Sequence, residues 1–404
     1  MGLWELIEGH LGTPLGFRAA AAAAGIKQKP GALDLALIVS DGERTSAAGM
    51  FTTNVVAAAP VAFSRQNLAK SGGYARAIIV NSGNANAGTG RGGRRTAEGT
   101  ARAAARLIGT LPQEVLICST GVIGVPLKTA LIREQLPALV ERLSPENAAE
   151  VPHAIMTTDT FAKSCVLRSQ YRGRTAHLAG VAKGAGMIHP RMATMLSFIT
   201  TDAAITPPLL ARLLRSAVWQ SFNRVSVDGD TSTNDTVLIL ANGYAGIKVG
   251  AANAAWFEGG LVKLCQTLAK MIARDGEGAT KLVTIDVRGA RSEHDAERAA
   301  RAIANSPLVK TAIAGNDPNW GRILCAAGYS GARFDPNKVD IFVNRLALCR
   351  RGLDAGFDEA AAKKELDQKE LIIRLHFHQG RGSARMWTCD LTHGYIDINA
   401  AYRT

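Results

Sequence analysis

Residues 183–196 read Lys-Gly-Ala-Gly-Met-Ile-His-Pro-Arg-Met-Ala-Thr-Met-Leu, and this stretch keeps neither of the two periods that regular structure needs. Its apolar residues do not recur at helical spacing, nor do they alternate as on a half-buried strand. Such a segment takes its shape from the rest of the fold. Inside it a small residue, Ala193, precedes a threonine, Thr194. If the backbone is strained there, the Thr194 hydroxyl can attack the Ala193 carbonyl and split the chain, leaving Thr194 as a new N-terminus. Its hydroxyl is then a nucleophile with its own α-amine as base, the threonine form of covalent catalysis. An Ala-Thr pair alone is inert in most proteins, so the surrounding sequence has to carry the reading.

Strand-like and helical patterns alternate along the chain. Residues 33–39, 77–80 and 115–118 read as buried strands, and 96–108 as a helix of small and apolar residues. Beyond the Ala-Thr pair, 208–222 is a helix opened by proline, 236–241 a strand, and 257–274 a long amphipathic helix stopped by Asp275-Gly276. Residues 282–287, 339–344, 371–378 and 386–389 read as further strands, with a helix at 296–304. This is a mixed α/β chain. At 404 residues it exceeds a usual single domain, so two domains or one composite fold are expected.

Apolar residues make up 47% and charged residues 20% of the chain, the balance of a soluble globular protein. No run reaches the roughly 18 apolar residues that span a bilayer, and residues 19–25 lack a secretory layout, so a cytoplasmic location is the expectation. The cysteines 118, 165, 265, 325, 349 and 389 form no Cys-x-x-Cys pair. They read as reduced, mostly buried thiols. His376 and His378 flank Phe377 on an expected strand and read as structure rather than metal ligands. The net charge of +13 admits nucleic-acid binding, but Lys and Arg are dispersed and only 5% of residues are aromatic. A basic surface that concentrates small anions fits better.

A series of polar blocks then runs along nearly the whole chain. In order they are 48–54 (Ala-Gly-Met-Phe-Thr-Thr-Asn), 81–86 (Asn-Ser-Gly-Asn-Ala-Asn), 119–124 (Ser-Thr-Gly-Val-Ile-Gly), 156–160 (Met-Thr-Thr-Asp-Thr) and the 183–203 segment. After it come 227–235 (Val-Asp-Gly-Asp-Thr-Ser-Thr-Asn-Asp), 276–281 (Gly-Glu-Gly-Ala-Thr-Lys), 315–322 (Gly-Asn-Asp-Pro-Asn-Trp-Gly-Arg) and 398–404 (Ile-Asn-Ala-Ala-Tyr-Arg-Thr). With these blocks the chain resembles the ornithine acetyltransferase family, also called glutamate N-acetyltransferases. The resemblance implies a layered α/β sandwich with central sheets, similar in style to N-terminal-nucleophile hydrolases. It implies self-cleavage between Ala193 and Thr194 into fragments 1–193 and 194–404, intertwined in one composite fold. It also implies an assembly of two of each fragment.

The activity that the resemblance implies moves the acetyl group of N2-acetylornithine to glutamate through an acetyl-Thr194 intermediate, with ping-pong kinetics. No cofactor is implied, although some members of the family also accept acetyl-coenzyme A as donor. Thr120 and Gly121 match the family's oxyanion pair, needed by a tetrahedral intermediate; on spacing alone they are a glycine turn after a strand. Lys183 matches a substrate contact. A lysine there can bind a carboxylate or hold down the pKa of a freed amine, though most lysines are solvated. Thr157 matches a substrate-binding threonine, with its neighbour Thr158 the alternative contact. Glu277 suits an amine or its proton transfer, or is only a helix-ending turn. Asn399 and Thr404 match C-terminal contacts, which implies a tail tied into the site.

Asp228-Gly229-Asp230 and Asn316-Asp317 lack calcium-loop spacing and read as turns that brace the site, with no metal. Asn81-Ser82-Gly83-Asn84 reads likewise as a tight turn. The competing enzyme reading is an N-terminal-nucleophile amidohydrolase or aminopeptidase, in which water takes the acyl group. Lys183, Glu277, Asn399 and Thr404, a set suited to an amino-acid acceptor, favour transfer.

Overall fold

The apolar runs are continuous rather than alternating because both of their faces are covered. The computed structural model describes residues 2–189 and 195–401. Among them a four-stranded sheet has the order Phe17–Ala22, Leu35–Ser40, Ala77–Asn84, Val115–Val122. One face of it, with Leu35, Leu37, Ile79 and Ile117, packs under the helices Gly90–Ile108 and Thr129–Glu141. The other face, with Ile38, Ile78, Val80 and Leu116, packs on a six-stranded sheet through Val181, Phe198, Leu238 and Leu240. The far side of that sheet, with Leu178, Ile199, Val237 and Ile239, meets the helices Pro207–Trp219 and Ala254–Arg274. Two helical layers thus enclose two sheets, a layered α/β sandwich.

The six-stranded sheet runs Glu5–Ile7, Lys163–Tyr171, Arg174–Lys183, Leu196–Thr201, Thr236–Ala241, Ser46–Phe51. Its middle pair is antiparallel, with Lys183 opposite Leu196. Leu196–Thr201 runs parallel to Thr236–Ala241, with Leu196 opposite Thr236. The aperiodic 183–196 segment is therefore the loop of a hairpin between two central strands. Ala193 and Thr194 lie outside the described residues, as does Thr404.

A second six-stranded sheet, with Leu282–Ala290 and Glu370–His376 at its centre, forms its own core against the helices Glu293–Asn305 and Trp320–Gly328.

Several expectations shift. The 96–108 helix starts at Gly90, because its first turn is mostly solvent-facing and carries no apolar period. The 115–118 strand runs on to Val122, so Thr120 and Gly121 belong to the sheet rather than to a turn after it. Asn81–Asn84 is likewise strand, not a tight turn. Its polar groups are satisfied sideways, Asn81 Nδ2 donating to the Asn84 carbonyl and Ser119 Oγ to Asn81 Oδ1. The expected C-terminal tail is a helix, His393–Ala401. The 371–378 strand ends at His376; His378 has φ 54° and donates through Nε2 to Asp340 Oδ2 at 3.0 Å. Five of the six cysteines are buried and Cys325 is exposed.

The N-terminal strand is tied to the long helix by Trp4. Its ring stacks 4.9 Å from that of Trp256, and its indole N–H donates to the Trp256 carbonyl at 2.8 Å. Trp4→Ala should cost about 3–5 kcal/mol, read as a lower urea midpoint at unchanged slope.

Candidate active site

A buried lysine organises the site. Lys163 opens the strand Lys163–Tyr171, and its ammonium donates to Asp159 Oδ1 at 2.7 Å and to Asp275 Oδ2 at 2.5 Å. All three side chains are fully buried. Asp159 also accepts the Gly184 N–H at 2.7 Å through Oδ1 and the Thr157 N–H at 3.0 Å through Oδ2. Asp275, just after the Ala254–Arg274 helix, accepts both the backbone N–H and the hydroxyl of Thr160. Burial pushes the Asp159 carboxyl up, but Lys183, Lys163 and the donated hydrogen bonds outweigh it and hold it near 2. Charges removed from water this far are tolerated only with such complete pairing.

This network fixes Lys183 at the end of its strand. The buried Lys183 ammonium donates to Thr157 Oγ1 at 2.7 Å and to Thr120 Oγ1 at 3.3 Å. Burial depresses its pKa, against the pull of Asp159, Glu277 and Asp235. Of the two candidate threonines, Thr157 is the one hydrogen-bonded to Lys183, while Thr158 also faces the cavity.

Thr120 and Gly121 lie where the register between Ala77–Asn84 and Val115–Val122 becomes irregular, Asn84 pairing with both Thr120 and Val122. Gly121 has φ 130°, and a Cβ there would strike the backbone of Gly83 and Asn84, so the position requires glycine. Asn234 holds the preceding residue, its Nδ2 donating to the carbonyls of Ser119 (2.8 Å) and Ala85 (2.7 Å).

On the opposite side Glu277 follows the long helix. Its backbone N–H donates to the Ala185 carbonyl at 2.9 Å, and its Oε2 accepts from Asn399 Nδ2 at 2.8 Å. Gly186 lies flush against it, since a Cβ at Gly186 would fall on the Glu277 carboxylate. Asp228 braces the loop by accepting the backbone N–H groups of Met187 (2.5 Å) and Ile188 (2.8 Å). Burial, only partly offset by those donors, raises its carboxyl to about 6.

Thr120, Gly121, Thr157, Lys183, Glu277 and Asn399 thus line one cavity of about 140 Å³. That is small beside the roughly 300–1,000 Å³ of drug-sized pockets. Among the described residues its lining carries one cation, Lys183, and three carboxyl groups, Glu277, Asp228 and Asp230. Such a lining suits a small zwitterion. Met195, the residue bonded to Thr194, is pinned at the buried end of the Leu196–Thr201 strand: its N–H donates to Asp235 Oδ1 at 2.9 Å and its carbonyl accepts from the Thr236 N–H at 3.0 Å.

Sequence reasoning missed Lys163, Asp275, Gly186, Asn234, Asp235 and Tyr395, whose hydroxyl faces Asp228. Asp235 and Asn234 stood in a quoted block without a role. A lysine just after Thr-Thr-Asp-Thr, beginning an apolar strand, was the available signal for Lys163.

The ArgJ family model matches residues 18–404. The arginine biosynthesis bifunctional protein ArgJ of Symbiobacterium thermophilum is 48% identical over 404 residues, covering 99% of this chain and 100% of that protein. The protein of the same name from Geobacter sulfurreducens is 49% identical over 393 residues, covering 96% and 99%. Among solved structures, the arginine biosynthesis bifunctional protein from Bacillus halodurans is 44% identical with a TM-score of 0.51, over 52% of this chain and 100% of that chain.

Two outcomes are expected of this geometry. Gly186→Ala should displace the Glu277 carboxylate and lower kcat/KM about 100-fold, the scale of an ångström-sized misplacement, with little change in melting temperature. Asp159, whose pKa falls from 3.8 to about 2 on folding, stabilises the fold fully above pH 3.8. That contribution is lost as pH falls through 2. Asp159→Asn should lower the melting temperature at neutral pH and flatten its fall between about pH 4 and 2.

Proposed function

This chain belongs to the ArgJ family, and on that premise we propose that it carries an acetyl group from N2-acetylornithine to glutamate on the hydroxyl of Thr194. That activity makes it an acyltransferase of arginine biosynthesis. The observation that carries the chemical reading is the lining of one small cavity. The desolvated Lys183 ammonium, the Glu277 carboxylate and the Thr120–Gly121 segment surround it, at the hairpin that continues into Met195.

The roles follow from charge. The α-carboxylate of an amino-acid substrate pairs with Lys183, whose ammonium is hydrogen-bonded to the neutral hydroxyls of Thr157 and Thr120. An amine pairs with Glu277, which Asn399 holds in place. The Thr194 hydroxyl adds to the acetyl carbonyl of N2-acetylornithine, and the oxyanion is stabilised at Thr120–Gly121. The C–N bond breaks and ornithine leaves with the proton taken from Oγ. Glutamate then binds in the vacated space, its amine adds to the acetyl ester, and N-acetylglutamate departs as the proton returns to Oγ. One pocket of this size holds donor and acceptor in turn, not together, which is the physical basis of a ping-pong order.

The nucleophile is freed by cleavage at 193–194 in this reading. Two observations support it. In one sheet the strands Leu196–Thr201 and Thr236–Ala241 are flanked on both sides by strands from the 1–193 part, so fragments 1–193 and 194–404 would stay interlocked. The solved Bacillus halodurans chain is covered in full by 52% of this chain; residues 194–404 are 211 of 404, also 52%.

Initial rates at several fixed glutamate concentrations should give parallel double-reciprocal lines against N-acetylornithine. Intersecting lines would exclude the covalent order. Thr194→Ala should abolish both transfer and cleavage. Glu277→Gln should lower kcat/KM about 10²–10³-fold while two fragments still form; a chain that stays whole would make Glu277 structural instead.

A further inference from the structure

Asp235 stands at the start of the Thr236–Ala241 strand, fully buried, and the transfer reaction does not use it. Its backbone is fixed by the Thr52 N–H, which donates to its carbonyl at 2.9 Å. Its Oδ1 accepts the Met195 N–H at 2.9 Å. Its Oδ2 is buried with no hydrogen-bond partner among the described residues. A buried carboxyl oxygen left unsatisfied costs free energy on the order of 1–3 kcal/mol, and such an orphan calls for an explanation. Its location supplies one. Met195 N is bonded to the carbonyl carbon of Thr194, and only three covalent bonds separate it from the Thr194 nitrogen. The carboxyl is therefore held at the peptide N–H that follows the residue whose peptide bond must break.

We propose that Asp235 is the acid of self-cleavage: Oδ1 anchors the peptide on the C-terminal side of Thr194, and Oδ2 protonates the Thr194 nitrogen as it leaves the Ala193 carbonyl. This rests on the reading of Thr194 as the self-cleaving nucleophile. The step balances without any outside reagent. The Thr194 Oγ–C bond to the Ala193 acyl carbon forms, and the C–N bond breaks. The nitrogen gains the Oδ2 proton, and the proton shed by the hydroxyl restores the Asp235 acid. Water then adds to the resulting ester, giving hydroxide to the acyl carbon and a proton to Oγ. The Ala193 acid passes its proton to the new α-amine, leaving Ala193 as a carboxylate and Thr194 with a free ammonium and hydroxyl.

The surroundings favour the neutral acid this requires. Burial pushes the Asp235 carboxyl well above the usual carboxylate range, and the Met195 N–H and the Lys183 ammonium counter it only in part. Lys183 is the charged group among the described residues that acts on it, and burial weakens that charge in turn. With both groups shifted toward neutrality, the acid keeps its proton where an exposed aspartate would have lost it.

The test follows cleavage in time for the full chain made by cell-free synthesis, with fragments resolved by mass spectrometry. Wild type, Asp235→Asn and Thr194→Ala are compared across about pH 5 to 9. Asp235→Asn keeps an oxygen for the Met195 N–H but has no proton to cycle. It is expected to melt like wild type and cleave about 10²–10⁴-fold more slowly, the usual worth of general acid catalysis. The wild-type rate should fall as pH rises through the Asp235 ionisation, a limb absent from the variant. Asp235→Asn cleaving within about threefold of wild type overturns the proposal. If that variant fails to fold, the wild-type profile decides: a declining alkaline limb supports the acid, and a flat profile overturns it. A wild-type chain that never cleaves, or a Thr194→Ala chain that does, removes the nucleophile reading itself and this inference with it. Normal wild-type cleavage alongside an unaffected Asp235→Asn removes only the inference.

Discussion

The ammonium of Lys163, enclosed by Asp159 and Asp275, is the interaction on which the rest of the site depends. It joins the 156–160 block, the first strand residue after it and the end of the long helix. Through Asp159 it also reaches the Gly184 N–H, the first peptide beyond Lys183. A buried ion pair of this kind adds little net stability over an apolar core, but breaking it is costly because a bare charge remains. Its effect here is geometric. The withdrawn anions leave Lys183 paired with neutral hydroxyls at its tip. A lysine already saturated by carboxylates would have nothing to offer an incoming substrate carboxylate. The same withdrawal lets one cavity hold a cation on one wall and Glu277 on the other.

Sheet register does the remaining placement. Lys183 faces Leu196 across an antiparallel pair, and Thr236 faces Leu196 across a parallel one. The loop bearing the Ala193–Thr194 bond is thereby anchored at both ends, at Lys183 and at Met195. Asp228 holds its near limb by two backbone N–H groups and Asp235 its far limb by one. The two aspartates, Asp228 half-buried and Asp235 fully buried, come from one sequence block, 227–235.

Much of this was legible in the sequence, and the misses have physical causes. The doubly buried strands were read from runs such as Leu-Ala-Leu-Ile-Val, because covering both faces removes polar residues from both. The strands Lys163–Tyr171 and Arg174–Lys183 were missed because a lysine, a serine and arginines interrupt them, and propensity does not register that Lys163 is paired. The helix His393–Ala401 was missed because it has no apolar stripe and no buried residue. Thr120, Gly121, Thr157, Lys183, Glu277 and Asn399 were named on resemblance and meet in one cavity. Asp235 carries no signature at sequence level, and Lys163 only its place after Thr-Thr-Asp-Thr at the head of an apolar strand, since burial alone gives a carboxylate or an ammonium such leverage.

The central claim is that this cavity delivers an acetyl group to Thr194. The direct measurement is the intact mass of the purified full-length protein after mixing with N2-acetylornithine in the absence of any acceptor. Two fragments that part between Ala193 and Thr194, with one acetyl group on the 194–404 fragment that disappears on adding glutamate, are the predicted result. Release of ornithine with no acetyl on either fragment, or an acetyl group that glutamate does not remove, would contradict the account.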